Sequence, residues 1–305
     1  MFYTPRVRAE YRIEPCRSAL NPVRGMPFKW SLNPYMGCVH RCTFCYVRNF
    51  EQRADRPSDD RYGRSIRVKA NVAEVLAREL ARKSWGRDEV AVGTATDPYQ
   101  PAEGRFRLTR ACLEELGKAW TPFSIITRGP LVVRDIDVLV EAARRVDVSV
   151  TFSLPTIDDD VWRTTEPGTA PPRSRLEAVS RLAEAGVDVG VGLAPILPGL
   201  SDRPGQIEDV VRAAKAAGAR GVWAAPVHLR PGVREHFLEA LARDWPELVG
   251  EYEELFAERD YLPSAIATPI RERVRQAARS APIPEGYRRT ERIRRREPAQ
   301  LTLAV

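Results

Sequence analysis

Asn33-Pro34-Tyr35-Met36-Gly37-Cys38-Val39-His40-Arg41-Cys42-Thr43-Phe44-Cys45-Tyr46 is the stretch on which the reading of this chain turns. It holds three of the chain's five cysteines within eight residues. Three residues separate Cys38 from Cys42, and two separate Cys42 from Cys45. Thiolates this close in sequence can converge on one metal centre without help from distant chain. On a four-iron cube, three of them would leave one iron without a protein ligand, and an open metal position is where chemistry happens. The competing reading is a structural zinc site with His40 as fourth ligand. Zinc sites usually come as two spaced pairs, and no second pair is present. Cys16 and Cys112 lie far from the loop and are read as buried free thiols.

Cys-x3-Cys-x2-Cys with an aromatic residue before the last cysteine resembles the signature of radical S-adenosylmethionine (SAM) enzymes. Four further segments recur in order in the spore-photoproduct-lyase-like subgroup, also labelled DNA repair photolyases. They are Asn33-Pro34-Tyr35, Thr96-Asp97-Pro98-Tyr99-Gln100-Pro101-Ala102-Glu103, Arg134-Asp135-Ile136-Asp137 and Pro195-Ile196-Leu197-Pro198-Gly199. The likeness covers roughly residues 15 to 245. It implies a [4Fe-4S] cluster held by Cys38, Cys42 and Cys45, with SAM chelating the open iron. It also implies an external one-electron donor of flavodoxin or ferredoxin type. Fold and label do not fix a substrate.

Hydrophobic runs alternate between strand-like and helix-like. Strands are expected at Glu89–Gly93, Phe123–Thr127, Asp147–Ser153, Asp188–Ala194 and Gly221–Ala225, with one more just before Cys38, near Trp30–Leu32. Helices are expected at Val72–Lys83, Arg107–Trp120, Val132–Arg145, Arg173–Ala185, Gln206–Ala217 and Val233–Ala242. Such alternation argues for an α/β fold with a parallel sheet. Six units are too few to close an eight-stranded barrel, so a partial (β/α)6 barrel over residues 29–244 is expected, as the resemblance also implies. Residues 1–28 read as an extended strap and Glu51–Arg64 as a flexible loop. Residues 245–280 read as a helical extension (Glu247–Arg259, Thr268–Arg279) and 281–305 as a basic, disordered tail. Gly117, Gly186 and Gly218 are expected as helix C-caps.

Active sites of parallel α/β barrels lie at the C-terminal strand ends. Gly93, Thr94, Thr96 and Asp97 leave the second strand, where the resemblance implies binding of SAM's methionine amine. Arg175 or Arg128 suits the SAM carboxylate. Ser153, at the fourth strand end, suits the ribose. Phe44 is implied to pack near the adenine. Thr94 stands where spore photoproduct lyase places a hydrogen-donating cysteine, and a hydroxyl is a poor substitute for a thiol in that role. Asp158-Asp159-Asp160 reads as the first turn of a helix capped by Thr156 rather than a metal site. His228 is a candidate substrate or cofactor contact, and His236 reads as a helix-surface residue.

The net charge of +7 favours an anionic partner, with nucleic acid the obvious class. Much of the excess sits in ten arginines from Arg271 to Arg296. No apolar run suits a signal peptide or membrane span, so a cytoplasmic protein is expected. The reading is a radical SAM enzyme acting on an unknown substrate, nucleic acid first. The alternatives are a protein or small-molecule substrate, or a non-catalytic Fe–S or zinc module.

Overall fold

The computed structural model describes residues 9–286. Its strands, in chain order, are β1 (Glu10–Glu14), β2 (Leu20–Pro22), β3 (Trp30–Leu32), β4 (Tyr35–Met36), β5 (Ser65–Lys69), β6 (Val90–Val92), β7 (Phe123–Thr127), β8 (Val148–Ser153), β9 (Asp188–Ile196) and β10 (Val222–Pro226). The helices are α1 (Val47–Arg53), α2 (Val72–Leu80), α3 (Pro101–Phe106), α4 (Leu108–Lys118), α5 (Ile136–Ala143), α6 (Asp159–Thr165), α7 (Pro172–Glu184), α8 (Gln206–Ala216), α9 (Arg234–Asp244), α10 (Val249–Phe256) and α11 (Ser264–Ser280).

The main sheet runs β10-β9-β8-β7-β6-β3-β2. All its pairs are parallel except β2 with β3. Six parallel strands with crossover helices make a partial barrel that does not close, as expected. The strand interiors read Val-Ala-Val, Phe-Ser-Ile-Ile-Thr and Val-Ser-Val-Thr-Phe-Ser because one face meets the barrel interior and the other the helices. The helices bury residues at three- and four-residue spacing. Examples are Val72, Val75, Leu76 and Leu80 of α2, and Ile207, Val210, Val211 and Ala214 of α8. Each buried Val, Leu or Ile side chain contributes on the order of 1.5–3 kcal/mol, so these faces outweigh the helices' own propensities.

Several expectations are corrected. The strap contains two strands, and β1 pairs in parallel with β5 in a small second sheet, β1-β5-β4. Tyr35, Ile66, Val68 and Ala102 form its core, which anchors the entry to the cysteine loop. The helix expected from Val132 starts as a 3-10 turn over Pro130–Asp135 and becomes α-helical only at Ile136. Ahead of α4 a short helix, α3, was not foreseen; Arg107 separates the two in the left-handed conformation. Gly186 and Gly218 do end helices at positive φ, but Gly117 lies inside α4, where a methyl would stand 3.3 Å from Ala142 of α5. Its smallness serves helix contact, not capping.

The C-terminal segment is less separable than its composition suggests. Helix α11 packs on α8 and β10, burying Ala267, Ile270, Val274, Ala277 and Ala278. Residues 281–286 are ordered: Val222 donates to Pro284 O (3.0 Å) and Gly286 to Val222 O (2.8 Å), so the chain returns to the β10 edge. Of the arginines, Arg273 is tied to Asp202 O at 2.6 Å, and Arg275 and Arg279 pair with Glu272. The arginines from Arg288 to Arg296, and any disorder there, lie outside the described residues. No described helix is long and apolar enough to cross a membrane.

Candidate functional site

Cysteine-loop placement begins at the end of β3. Asn33, buried, accepts the N–H of Ala95 (2.8 Å) and donates to Thr94 Oγ1 (3.3 Å), so the first and second strand ends are tied. Beyond Asn33 the loop is pinned from three sides. Thr96 Oγ1 donates to Gly37 O (2.6 Å). The Gln100 amide donates to the same carbonyl (3.0 Å) and accepts from Val39 N (3.2 Å). The peptides either side of Cys38 are thus fixed by the second strand end. At its far side, Thr43 N donates to Thr165 O (2.9 Å) and Gly168 N to His40 O (3.0 Å). Gly168 faces the loop so closely that a methyl would lie 2.7 Å from His40 O and 2.8 Å from His40 Cα, and closer still to Val39 O. Gly63, at φ +76°, makes a similar approach to the Cys38 carbonyl.

The Glu51–Arg64 segment, expected to be flexible, begins as the last turn of α1 and then folds over the cysteines. Arg48, fully buried, draws it in by donating to the carbonyls of Ser58 (2.6 Å) and Asp59 (2.8 Å), and its guanidinium lies over the Tyr62 ring at 4.6 Å. Tyr62 Oη stands 3.6 Å from Cys45 Sγ. Cys38, Cys45, Val47 and Tyr62 form one small apolar cluster.

All five cysteines are free thiols. Burial pushes the thiols of Cys42 and Cys45 upward, opposed at Cys42 by the Arg128 guanidinium and at Cys45 by the Tyr62 hydroxyl. His40 does not join them as a fourth ligand around one ion. Its Nδ1 faces the Asp97 carboxylate at 3.3 Å, and no group of three or more His, Cys, Asp or Glu side chains among the described residues is arranged to hold a single metal ion. Burial disfavours the imidazolium, but Cys38 and Asp97 outweigh it and hold its pKa up to about 10. The donor set fits an anionic iron–sulfur cluster. It offers three free thiols, Cys38 and Cys42 buried and Cys45 partly so, and two buried guanidinium atoms of the loop region, Nε of Arg41 and of Arg48, lack any protein partner.

The other sequence candidates divide into facing and structural groups. Gly93, Thr94 and Ala95 are half-buried at the end of β6. Tyr46, directly after Cys45, donates its hydroxyl to Thr94 O. Asp97 is a hub with no oxygen to spare. It accepts from Tyr99 N (2.8 Å), Thr127 Oγ1 (2.7 Å) and Arg128 N (2.6 Å) besides His40. Burial works against its charge, but His40 and these donors hold its pKa down to about 2. Arg175 is likewise occupied: fully buried, it donates to Ala170 O, Ser153 O, Thr169 Oγ1 and both oxygens of Glu166. Arg128 shares Glu166 (2.6 Å), reaches Ala194 O (3.0 Å), and lies 5.6 Å over the buried ring of Phe44. It is partly exposed where Arg175 is not. Ser153 is buried at the end of β8, where its carbonyl receives Arg175.

Sequence reasoning passed over Gln100, Glu166, Gly168, Arg48 and Tyr62. Gln100 lay inside a quoted motif. The others carry no local signal, because their partners are 9 to 129 residues away. Asp158, not Thr156, caps α6: its carboxylate accepts from Asp160 N and Val161 N, both at 3.0 Å. His236 is half-buried rather than on the surface. A surface depression of about 620 Å³ between the C-terminal ends of α2 and α4 lies toward the opposite end of the strands and has no part in the site.

The family model for the Radical SAM superfamily matches residues 32–214. An uncharacterized protein of Mycobacterium tuberculosis (strain ATCC 25618 / H37Rv) is 41% identical over 276 residues, 90% of this chain and 79% of that relative. An uncharacterized protein of Acidianus two-tailed virus is 31% identical over 224 residues, 70% of this chain and 71% of that relative. Among solved structures, spore photoproduct lyase complexed with dinucleoside spore photoproduct superposes with a TM-score of 0.70 at 14% identity, covering 92% of this chain and 82% of the lyase. At that identity the likeness shows the fold.

Proposed function

The chain belongs to the radical SAM superfamily, and on that footing we propose that Cys38, Cys42 and Cys45 hold a [4Fe-4S] cluster at the mouth of the partial barrel. It is an enzyme, and the family's cofactors, a [4Fe-4S] cluster and SAM, are its cofactors. When bound, they supply a 5′-deoxyadenosyl radical by one-electron reductive cleavage, with the electron coming from an external donor. The residues of the chain orient and shield this chemistry. Thr96 and Gln100 fix the loop peptides around Cys38. Arg128, rather than the fully engaged Arg175, receives the SAM carboxylate. The half-buried backbone of Gly93, Thr94 and Ala95 faces the SAM amine, with Asp97 positioning Arg128 through its N–H. Phe44 and Ser153 border the nucleoside.

The observation that carries this reading is the cysteine loop, pinned by the second strand end and by Gly168, with its three thiols free and largely buried. The proposed substrate is a nucleic acid, which would be the source of the abstracted hydrogen atom. The positive net charge and the likeness to a lyase solved with a dinucleoside lesion support that class. A reducing cytoplasm suits both the free thiols and the cluster. The test is anaerobic reconstitution followed by SAM and dithionite. Formation of 5′-deoxyadenosine and a SAM-induced change in the cluster's EPR signal are expected. An EPR spectrum indifferent to saturating SAM, with no SAM cleavage, rejects the enzyme reading.

A further inference from the structure

Five large hydrophobic side chains are exposed among the described residues, and three of them, Tyr46, Phe50 and Tyr261, lie in one row. The row runs Phe50, Tyr46, His228, Tyr261, with ring centroids 5.9, 6.0 and 5.3 Å apart. His228 stacks on Tyr261 with 20° between planes, and Tyr46 tilts 32° from His228. The row is built, not incidental. Tyr46 is held by its hydroxyl on Thr94 O, and α1 is tied to the segment after β10 by Asn49 Nδ2 donating to Pro231 O at 2.9 Å. His228 and Tyr261 pair as a β-bridge, and Leu229 N donates to Asp260 O at 2.8 Å. Arg230 lies over the Tyr261 ring at 5.8 Å and donates to its hydroxyl at 2.9 Å. The row therefore joins the element after the first parallel strand to the loop after the sixth. It crosses the seam that the open barrel leaves, and its Tyr46 stands one residue beyond Cys45.

We propose that this row is a stacking platform for unpaired nucleobases, which leads a single-stranded or locally opened nucleic acid to the barrel mouth. The inference rests on the nucleic-acid reading above and narrows it. Every base has a face that stacks on aromatic rings, and arginine beside such rings serves both base faces and phosphates. An apolar peptide would be poorly matched, because the row carries two tyrosine hydroxyls and an imidazole with Arg230 beside it, and Arg53 and Arg259 are exposed on the flanking elements. Burial, helped by Arg230, lowers the His228 pKa, and its ring sits between Tyr46 and Tyr261 and joins them into one row. A duplex hides its base faces, so the platform discriminates against it.

The test uses the full-length, anaerobically reconstituted protein and fluorescence anisotropy at fixed salt. The probes are a mixed-sequence 12-nucleotide DNA strand, the same length of abasic strand, and the corresponding blunt duplex. The intact strand is expected to bind at least about 10-fold tighter than either comparison, with Tyr261→Ala and Phe50→Ala each removing roughly 5-fold or more of that preference. Tyr261→Phe keeps the ring and is expected to keep the preference. Unchanged urea midpoints show that the variants fold, as expected for exposed side chains. Equal binding of the intact and abasic strands, duplex binding as tight as single strand, or alanine variants indistinguishable from the parent would each overturn the platform. Uncoupled SAM cleavage without any oligonucleotide separates the two failures. Its persistence alongside lost base preference rejects the platform alone, whereas its absence rejects the enzyme reading.

Discussion

Replacing Gly168 by Ala tests whether the cysteine loop is set by close backbone approach rather than by the cysteines themselves. Gly168 has no positive φ to lose, so the substitution adds only volume. Carbon in ordinary contact needs about 3.5 Å, whereas the new methyl would meet His40 O at 2.7 Å and His40 Cα at 2.8 Å. Both neighbours are backbone and cannot swing aside. The loop between Cys38 and Cys42 must therefore retreat by on the order of 1 Å, which also strains the Gly168 N to His40 O hydrogen bond. Overpacking of this kind costs about 1–3 kcal/mol. With a urea m-value of about 2–3 kcal/mol/M, the unfolding midpoint of the apoprotein should fall by roughly 0.5–1 M. The displaced thiols should also hold less iron after anaerobic reconstitution. Gly250→Ala is the control: it lies in α10 with nothing within 4 Å of the added methyl, and should leave stability equal or higher by about 0.5–1 kcal/mol. A Gly168→Ala protein with the parental midpoint and the parental iron and sulfide content would refute the argument, because the loop would then have slack that the geometry denies.

Cys42→Ala should abolish the [4Fe-4S] cluster, while Cys16→Ala and Cys112→Ala keep it, as read by iron and sulfide content; full retention in the Cys42 variant would show the ligand assignment to be mistaken. Arg175→Met should lower stability by about 3–5 kcal/mol by leaving the fully buried Glu166 carboxylate short of its partner, and a loss under about 1 kcal/mol in urea titration would mean that Arg128 alone satisfies it. His236 gives a pH signature. Burial first, then Arg48, hold its pKa down to about 4 from 6.5, with Asp60 opposing and Arg41 and Arg243 assisting. It is neutral in the fold, while the unfolded chain takes up a proton below about 6.5. Its contribution is therefore fully present above that pH and is lost as pH falls toward 4. His236→Gln should flatten the acid limb of the stability curve between those values, and an unchanged limb counts against the assignment.

The alternation of short Val- and Ile-rich runs with longer amphipathic ones was legible because it is local. A strand buried on both faces and a helix buried on one leave different periods in the sequence. Phe123–Thr127 was placed to the residue on that basis, and the first strand was expected near Trp30–Leu32, where β3 lies. Cysteine spacing was legible for the same reason, since the candidate ligands sit on one loop. Boundaries failed where backbone conformation depends on contacts. Arg107 splits a helical run by turning left-handed, and Pro130–Asp135 tightens into a 3-10 turn.

Site roles were harder to read, because they depend on which donors other segments have already taken. Arg175 and Asp97 look alike to a sequence reader: charged groups near strand ends, free to meet a ligand. The fold gives Arg175 to Glu166, Thr169 and Ser153, and gives Asp97 to His40, Thr127 and the Arg128 N–H. Arg128 is left as the cation beside Phe44. By itself, the sequence determined the superfamily and the α/β alternation and singled out the three loop cysteines as the candidate ligands, all written in short-range spacing. Only the tertiary structure decided that Tyr62 and Arg48 roof the cysteines, that Gly168 presses on their loop, and that rings from the start of α1, the segment after β10 and the loop before α11 form one row. Each of these joins residues whose separation in the chain leaves no periodic trace, and side-chain packing alone brings them within reach.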